Sequence, residues 1–216
     1  GNNAGTAITT GDLNVGIGAG ALLDTTTASN NTAVGGIALC ANTTGAANTA
    51  VGACALQTST TGSQSVAVGF KSLHSNTTGA NNVAMGYNSL AANTTASGNT
   101  AVGYSAIVTN TTGASLSALG YGALSGNTTG DNNSALGYQA LLLATGGSNT
   151  AVGDRALDSN TTGTRNTAVG YKALEDTGNG DDNTAVGYQA LDDCASSNNT
   201  AVGSDALKLA TTGGSN

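Results

Sequence analysis

An all-β fold, a β-solenoid or β-roll of about thirteen 17-residue coils, is predicted by three observations. The sequence has a strict internal period, one position of that period never holds more than a methyl group, and turn residues return at a fixed phase. Taking the Gly of each AVG-like triplet as a marker gives Gly18, Gly35, Gly52, Gly69, Gly86, Gly103, Gly120, Gly137, Gly153, Gly170, Gly187 and Gly203. Consecutive markers lie 17 residues apart nine times and 16 apart twice. The unit reads NTAVGYxALxxNTTGxx, and the repetition is nearly literal in NTAVGYKALEDTGNGDDNTAVGYQALDD, residues 166 to 193.

Each coil is expected to hold a short strand, a corner or single helical turn, and an NTTG turn. The strand is TAVG, in which Thr and Val alternate with Ala and Gly and so occupy opposite faces. The fourth position is always aliphatic or Met, from Ile17 and Val34 to Val202, and the ninth is Leu except at Ile107. These are read as the two large inward residues of a thin core, as at Val169 and Leu174. The adjacent Ala-Leu pair breaks the alternation, which requires the corner. In NTTG, Asn and Thr bond nearby backbone and Gly accepts a positive φ. Stacked coils pair identical strands at about 4.8 Å, which gives a rod on the order of 60 Å, with stacked Asn side chains adding to the ladder.

The third position is the restricted one. It holds Ala50, Ala67, Ala84, Ala101, Ala118, Ala135, Ala151, Ala168, Ala185 and Ala201, preceded by Ala33 and Gly16. Two readings stay open: tight packing inside a narrow coil, or an assembly ladder on which two chains approach closely. The array runs from 1 to 216 as one repeat domain, with a partial unit at 1–13 and full units from Asn14; Asn216 opens a further unit. A segment that starts and stops inside its repeat is expected to be a fragment of a longer fibre or filament, with matching strand edges at its ends.

Composition bounds the class. The 216 residues include no Pro or Trp, 33 Gly and only 8% charged residues, with a net charge of −7. Nothing favours nucleic acid or membrane insertion, and no apolar run approaches the ~20 residues of a spanning helix. Val, Leu, Ile and Phe number 36 of 216, too few for a conventional core, while charge is too sparse for a disordered chain. Order must come from repetition. Eight of the twelve acidic and four of the five basic residues fall between the sixth and eleventh positions, which puts one edge of each coil in water.

The phrases NTAVGYQAL and NTTG resemble the repeats of tail-fibre-domain proteins of bacteria and phages and, more distantly, the SVAIG repeats of trimeric autotransporter adhesin heads. The resemblance covers essentially the whole chain. It implies a trimeric β-roll or solenoid used as an extracellular stalk, fibre or adhesin on a cell surface or virion. The self-cleaving chaperone domain that ends many such chains is not among these residues, and the unit is longer than the autotransporter repeat.

Motifs for chemistry are sparse, and neither an enzyme nor a cofactor is expected. His74 is the only His and is read as an exposed substitution, without a second His for a triad or metal site. Cys40, Cys54 and Cys194 occupy different phases of the unit, so no metal spacing arises; Cys40 and Cys54 lie in neighbouring coils, where a disulfide or two small buried residues are the alternatives. TGNGDDN, residues 177 to 183, has oxygen ligands but not the spacing of a calcium loop.

Two surface ladders are the candidate sites. Every aromatic residue stands at the sixth position: Phe70, Tyr87, Tyr104, Tyr121, Tyr138, Tyr171 and Tyr188. They are read as lateral stacking over a thin core or subunit joint, or as a binding strip for sugars or a partner. The Thr pairs, Thr43 and Thr44 through Thr161 and Thr162, are turn residues, an O-glycan array or an ice-binding face. Asn42, Asn76, Asn93, Asn110, Asn127 and Asn160 match the N-glycosylation pattern. The function expected is a structural, adhesive extracellular fibre whose partner is itself, as a homotrimer or head-to-tail filament, with a surface glycan as a further partner. The alternative is an ice-binding or glycan-binding solenoid, disfavoured because LLLATGG, DTGNGDD and DCASS interrupt the Thr ladder.

Overall fold

A computed structural model describes residues 1–176, 179–193 and 196–209. The chain divides into two compact units, Gly1–Thr112 and Gly113–Asn216. The first contains β1 (Val15–Ile17), β2 (Thr32–Val34), β3 (Thr49–Val51), β4 (Val66–Val68), β5 (Val83–Met85) and β6 (Thr100–Val102). The second contains β7 (Ser117–Leu119), β8 (Ser134–Leu136), β9 (Thr150–Val152), β10 (Thr167–Val169), β11 (Thr184–Val186) and β12 (Thr200–Val202). Within each unit consecutive strands pair in parallel and in register, Thr32 on Thr49 and Ala33 on Ala50, or Thr167 on Thr184 and Ala168 on Ala185. The fold is the expected β-solenoid, with no helix among the described residues.

The ladder does not stop at the strand. In the coil that starts at Asn31, Thr32 N–H donates to Asn48 O at 2.8 Å, Leu39 to Ala55 at 2.9 Å, Ala41 to Gln57 at 3.1 Å and Thr43 to Thr60 at 2.9 Å. Gly35 and Ile37 donate back to Ile17 and Ala19 at 2.7 and 2.8 Å. Nearly all of the coil's circumference is therefore bonded to the coils on either side, which satisfies the backbone of a chain that is mostly turns. The partial unit at 1–13 obeys the same phase, since Gly5 N–H reaches Ala21 O and Thr9 N–H reaches Thr26 O, each at 2.9 Å.

Two 16-residue units keep the strands in register, with Ser134 on Thr150 and Thr184 on Thr200. In the first of them the missing residue is taken out of the NTTG turn, where ATGGS follows Leu143. Asn216 lies outside the described residues.

The corner is not a helical turn. The ninth residue adopts a left-handed backbone in every described coil, from φ 55° at Leu22 to 49° at Leu207, and includes the β-branched Ile107 at 51°. A left-handed residue reverses the side on which the side chain falls, so two neighbours face inward together: Ala38 and Leu39 are both fully buried. Such a backbone costs about 1–3 kcal/mol for a non-Gly residue. From Leu22 to Leu191 it is held by burial of the side chain, and in coils such as those of Leu39 and Leu174 by the inter-coil hydrogen bond of the N–H; Leu207, 43% exposed, keeps the same φ.

The strand turns its faces opposite to the expectation. Ala33, Ala50, Ala67, Ala84 and Ala101 in the first unit, and Ala151, Ala168 and Ala185 in the second, are completely buried; Ala118, Ala135 and Ala201 are nearly so. The fourth position points outward, with Val169 37% and Leu119 51% exposed. Val169 is thus no core residue, while Leu174 is. Gly16, which stands at the third position, shows the reason: a Cβ there would meet Leu22 Cδ1 at 3.4 Å and Ala4 Cβ at 3.8 Å. The strand's inner face lies directly on the Leu of its own coil and leaves room for a methyl group and nothing larger.

Much of the rest of the interior is amide, with hydroxyls such as Thr25, Ser59 and Ser65 and the apolar Leu116 in equivalent buried places. Asn48 Nδ2 donates to Gly62 O at 2.8 Å and its Oδ1 accepts from Ser65 N–H at 3.0 Å, while Asn48 N–H donates to Asn31 Oδ1 at 2.9 Å. Asn149, Asn166 and Asn183 repeat this pattern in the second unit. Each side chain thereby satisfies buried backbone groups of the next coil, which makes a polar interior affordable.

Candidate functional site

The outward positions of the strand and the residue after the marker glycine form a patterned surface on each unit. The marker glycines have φ between 128° and 146°, a region that side chains rarely enter, and each turns the chain so that the sixth residue again stands outside. Phe70, Tyr87, Tyr104, Tyr121, Tyr138, Tyr171 and Tyr188 are each 41–51% exposed.

Register brings the rings face to face. Phe70 and Tyr87 have centroids 5.5 Å apart with planes at 20°, and Tyr87 and Tyr104 stand at 5.1 Å and 7°. In the second unit Tyr121 and Tyr138 lie at 5.3 Å and 17°, and Tyr171 and Tyr188 at 5.3 Å and 13°. Ammonium groups follow on the first rings: Lys71 Nζ is 5.4 Å from the Phe70 centroid and Lys172 Nζ 5.8 Å from that of Tyr171, within cation–π range. Within each stacked pair the ring faces are turned to one another, and Lys71 and Lys172 each lie over a ring. Beside it runs the fourth-position row, with Val51, Met85, Leu119 and Leu136 exposed.

The alanine ladder lies inside the coil and offers no surface to a second chain. The glycosylation candidates Asn42, Asn76, Asn93, Asn110, Asn127 and Asn160 are fully buried. Asn42, Asn76, Asn127 and Asn160 donate Nδ2 to the turn glycine carbonyl three residues on, at 2.9–3.1 Å. Asn93 and Asn110 donate theirs to Asn76 and Asn93 Oδ1. A glycan would attach through that nitrogen, so the folded coil does not present these sites. The pattern misled because in this repeat NTT serves the interior.

The Thr pair is divided in its roles. Thr43 Oγ1 donates to Thr60 O at 3.1 Å and Thr77 Oγ1 to Thr94 O at 3.0 Å, whereas Thr44, Thr61, Thr78 and Thr95 are exposed. In the first unit the first hydroxyl is part of the ladder and the second Thr faces solvent; in the second unit Thr128 and Thr161 are exposed as well, and Thr161 and Thr162 both donate to Asn179 Oδ1 at 2.7 Å.

The remaining candidates fall apart from this strip. His74 is half-buried rather than exposed, with Nε2 3.0 Å from Gln57 Oε1, and burial with the nearby Lys71 lowers its pKa. Cys40 and Cys54 are free thiols; burial and the Asp24 charge raise the pKa of Cys40. Cys194 lies outside the described residues, as do Thr177 and Gly178 of TGNGDDN. Asp181 Oδ1 accepts Thr164 N–H at 2.7 Å, and Asp182 pairs with Arg165 at 2.7 Å, so these carboxylates link coils. No cluster of His, Cys, Asp and Glu among the described residues could hold a metal ion.

Sequence reasoning missed an ionic row in the second unit. Arg155 bonds Asp158 and Glu175, each at 2.8 Å, and Lys172 bonds Glu175 at 2.9 Å. The 17-residue spacing of Asp158, Glu175 and Asp192 at the tenth position was the available signal. Burial and the Glu175 charge raise the pKa of Asp192.

Comparison with protein-family models, with curated proteins and with solved structures finds no match.

Proposed function

We propose that the chain is a non-enzymatic structural segment of an extracellular fibre or filament, on a cell surface or virion, which serves adhesion in the larger assembly. The observation that carries this reading is the ladder: within each unit a coil uses its neighbours as its hydrogen-bonding partners around nearly all its circumference, so length is the quantity that repetition builds. The resemblance of NTAVGYQAL and NTTG to tail-fibre repeats supports the same assignment. The partner is a further copy of the chain, in a homotrimer or head to tail. Lateral association falls to the outer strip of fourth-position and aromatic residues, because the alanine ladder is enclosed. Electron microscopy of the purified chain tests this: elongated bundles or filaments are expected, and uniform discrete single-chain particles at high concentration would count against it. Leu119→Glu with Leu136→Glu should lower the assembled mass while the circular dichroism spectrum is retained.

A second reading, ice binding, draws on the outward pairs Thr49 with Val51 and Thr167 with Val169 on parallel strands. It is the weaker one. Val66, Val83, Ser117 and Ser134 replace the Thr, and Met85, Leu119 and Leu136 roughen the face. Measurable thermal hysteresis would favour it over the fibre.

A further inference from the structure

We infer that the tyrosine row is a site of oxidative modification, at which neighbouring coils are joined covalently as dityrosine. The inference goes beyond the fibre reading and does not rest on it. Three stacked pairs carry it: Tyr87 with Tyr104, Tyr121 with Tyr138, and Tyr171 with Tyr188, whose centroids lie 5.1–5.3 Å apart with planes within 17° of parallel. The spacing is imposed by the backbone ladder and not by loose side chains. Ser105 and Gln189 N–H donate to Tyr87 and Tyr171 O, each at 2.9 Å, which ties each ring's coil to the next directly beside the stack.

These tyrosines are 45–51% exposed, apart from Tyr171 at 41%, so a diffusing oxidant reaches every phenol and the rings have room to slide edgewise. The reactive partners are already neighbours, which makes the bond-forming step unimolecular. Coupling between chains, by contrast, needs the rows of two chains to meet, so its yield falls on dilution.

The chemistry requires hydrogen peroxide with a peroxidase as the one-electron oxidant. Each of two phenols gives up one electron and its hydroxyl proton, and one hydrogen peroxide takes both electrons and both protons to become two waters. The two phenoxyl radicals then form one carbon–carbon bond between positions ortho to their oxygens. The hydrogen on each joined carbon moves as a proton to the ring oxygen, which restores two phenols with a net loss of two hydrogen atoms. Phe70 stacks on Tyr87 in the same way at 5.5 Å but has no phenol, so it is an internal control and shows that Phe is accommodated in the row.

The test treats the full chain, mixed with an isotopically labelled copy, with a peroxidase and hydrogen peroxide, and maps cross-linked peptides by mass spectrometry. Expected are dityrosine fluorescence and within-chain links between coil neighbours, Tyr171–Tyr188 among them, whose yield per chain does not change on dilution. Tyr188→Phe should remove that link and leave Tyr87–Tyr104 unchanged. Absence of dityrosine while free tyrosine couples in the same mixture overturns the inference. So do links found only between labelled and unlabelled chains, and so does Tyr188→Phe leaving the mapped products unchanged.

Discussion

Gly35 and Gly36 are adjacent, and replacing each by Ala separates the role of the ladder from that of composition. Gly35 has φ 138°, and a Cβ added to it would lie 2.6 Å from both the carbonyl carbon and the oxygen of Gly52. Backbone must move, because no flexible side chain is there to yield. The left-handed strain costs about 1–3 kcal/mol. Opening the gap also weakens the bonds on both sides, Gly35 N–H to Ile17 O and Gly52 N–H to Val34 O, at about 0.5–1.5 kcal/mol each. Gly35→Ala should therefore destabilise by about 2–6 kcal/mol, a large part of the ~5–15 kcal/mol of an ordinary domain. A Cβ on Gly36 meets nothing within 4 Å, and Gly36→Ala should be neutral or stabilising by up to about 1 kcal/mol through the unfolded chain. Thermal unfolding followed by circular dichroism, with amide exchange to locate the damage in a repeat array that need not unfold in one step, measures both. Equal midpoints for the two variants would refute the claim that inter-coil backbone contact sets the stability.

The other expectations follow from the same geometry. Ala84→Leu should cost at least about 1–3 kcal/mol by overpacking the narrow interior, whereas Val51→Ala on the outer face should cost less than about 1 kcal/mol; comparable losses in denaturant titration would mean that the strand faces are misassigned. Asn48→Ala leaves Gly62 O and Ser65 N–H buried without their side-chain partner and should cost about 2–4 kcal/mol, read as faster exchange at Ser65. Asp192 has a raised pKa, so its contribution to stability is full below the ordinary carboxylate pKa and is lost as pH rises through the raised value; Asp192→Asn should melt higher than the parent at neutral pH, with the gap closing in acid. Asp182 is held below its ordinary pKa by Arg165, so its contribution is present above the ordinary value and disappears as pH falls through the lowered one. Asp182→Asn should flatten the acid limb of the melting profile.

Much of the fold is legible in the sequence because the period is legible. The strands, their parallel register and the Asn stacks follow from which residues recur at which phase. The direction of the strand does not. Alternation says that Thr and Val share a face, and the larger aliphatic residue suggests that this face is inner, but the Leu of the ninth position already fills the coil and admits only Ala33 or Ala84 against it. The left-handed Leu corner was equally hidden, since Leu39 has no intrinsic preference for positive φ and adopts it because the ladder and the core both require it. In the candidate strip, the aromatic row was plain from spacing alone. The orientation of its rings was not, because it depends on the separation of the coils, and Tyr121 and Tyr138 stack as the other pairs do. The buried Asn42 and Asn160 show the converse, a surface-modification motif whose side chain is needed inside.

The offset of the ladder bears on how such a gene changes. Because the backbone bonds join residues one repeat apart, unequal recombination that adds or removes a whole unit leaves each remaining coil with a neighbour of the same kind on either side. The product grows or shrinks by one layer, about 4.8 Å, and no other residue has to change in compensation. A loss that falls inside a unit is absorbed in the NTTG turn, as the 16-residue coil after Gly137 demonstrates. Natural variants of this chain should accordingly differ by whole multiples of the repeat, with single-residue insertions and deletions confined to that turn.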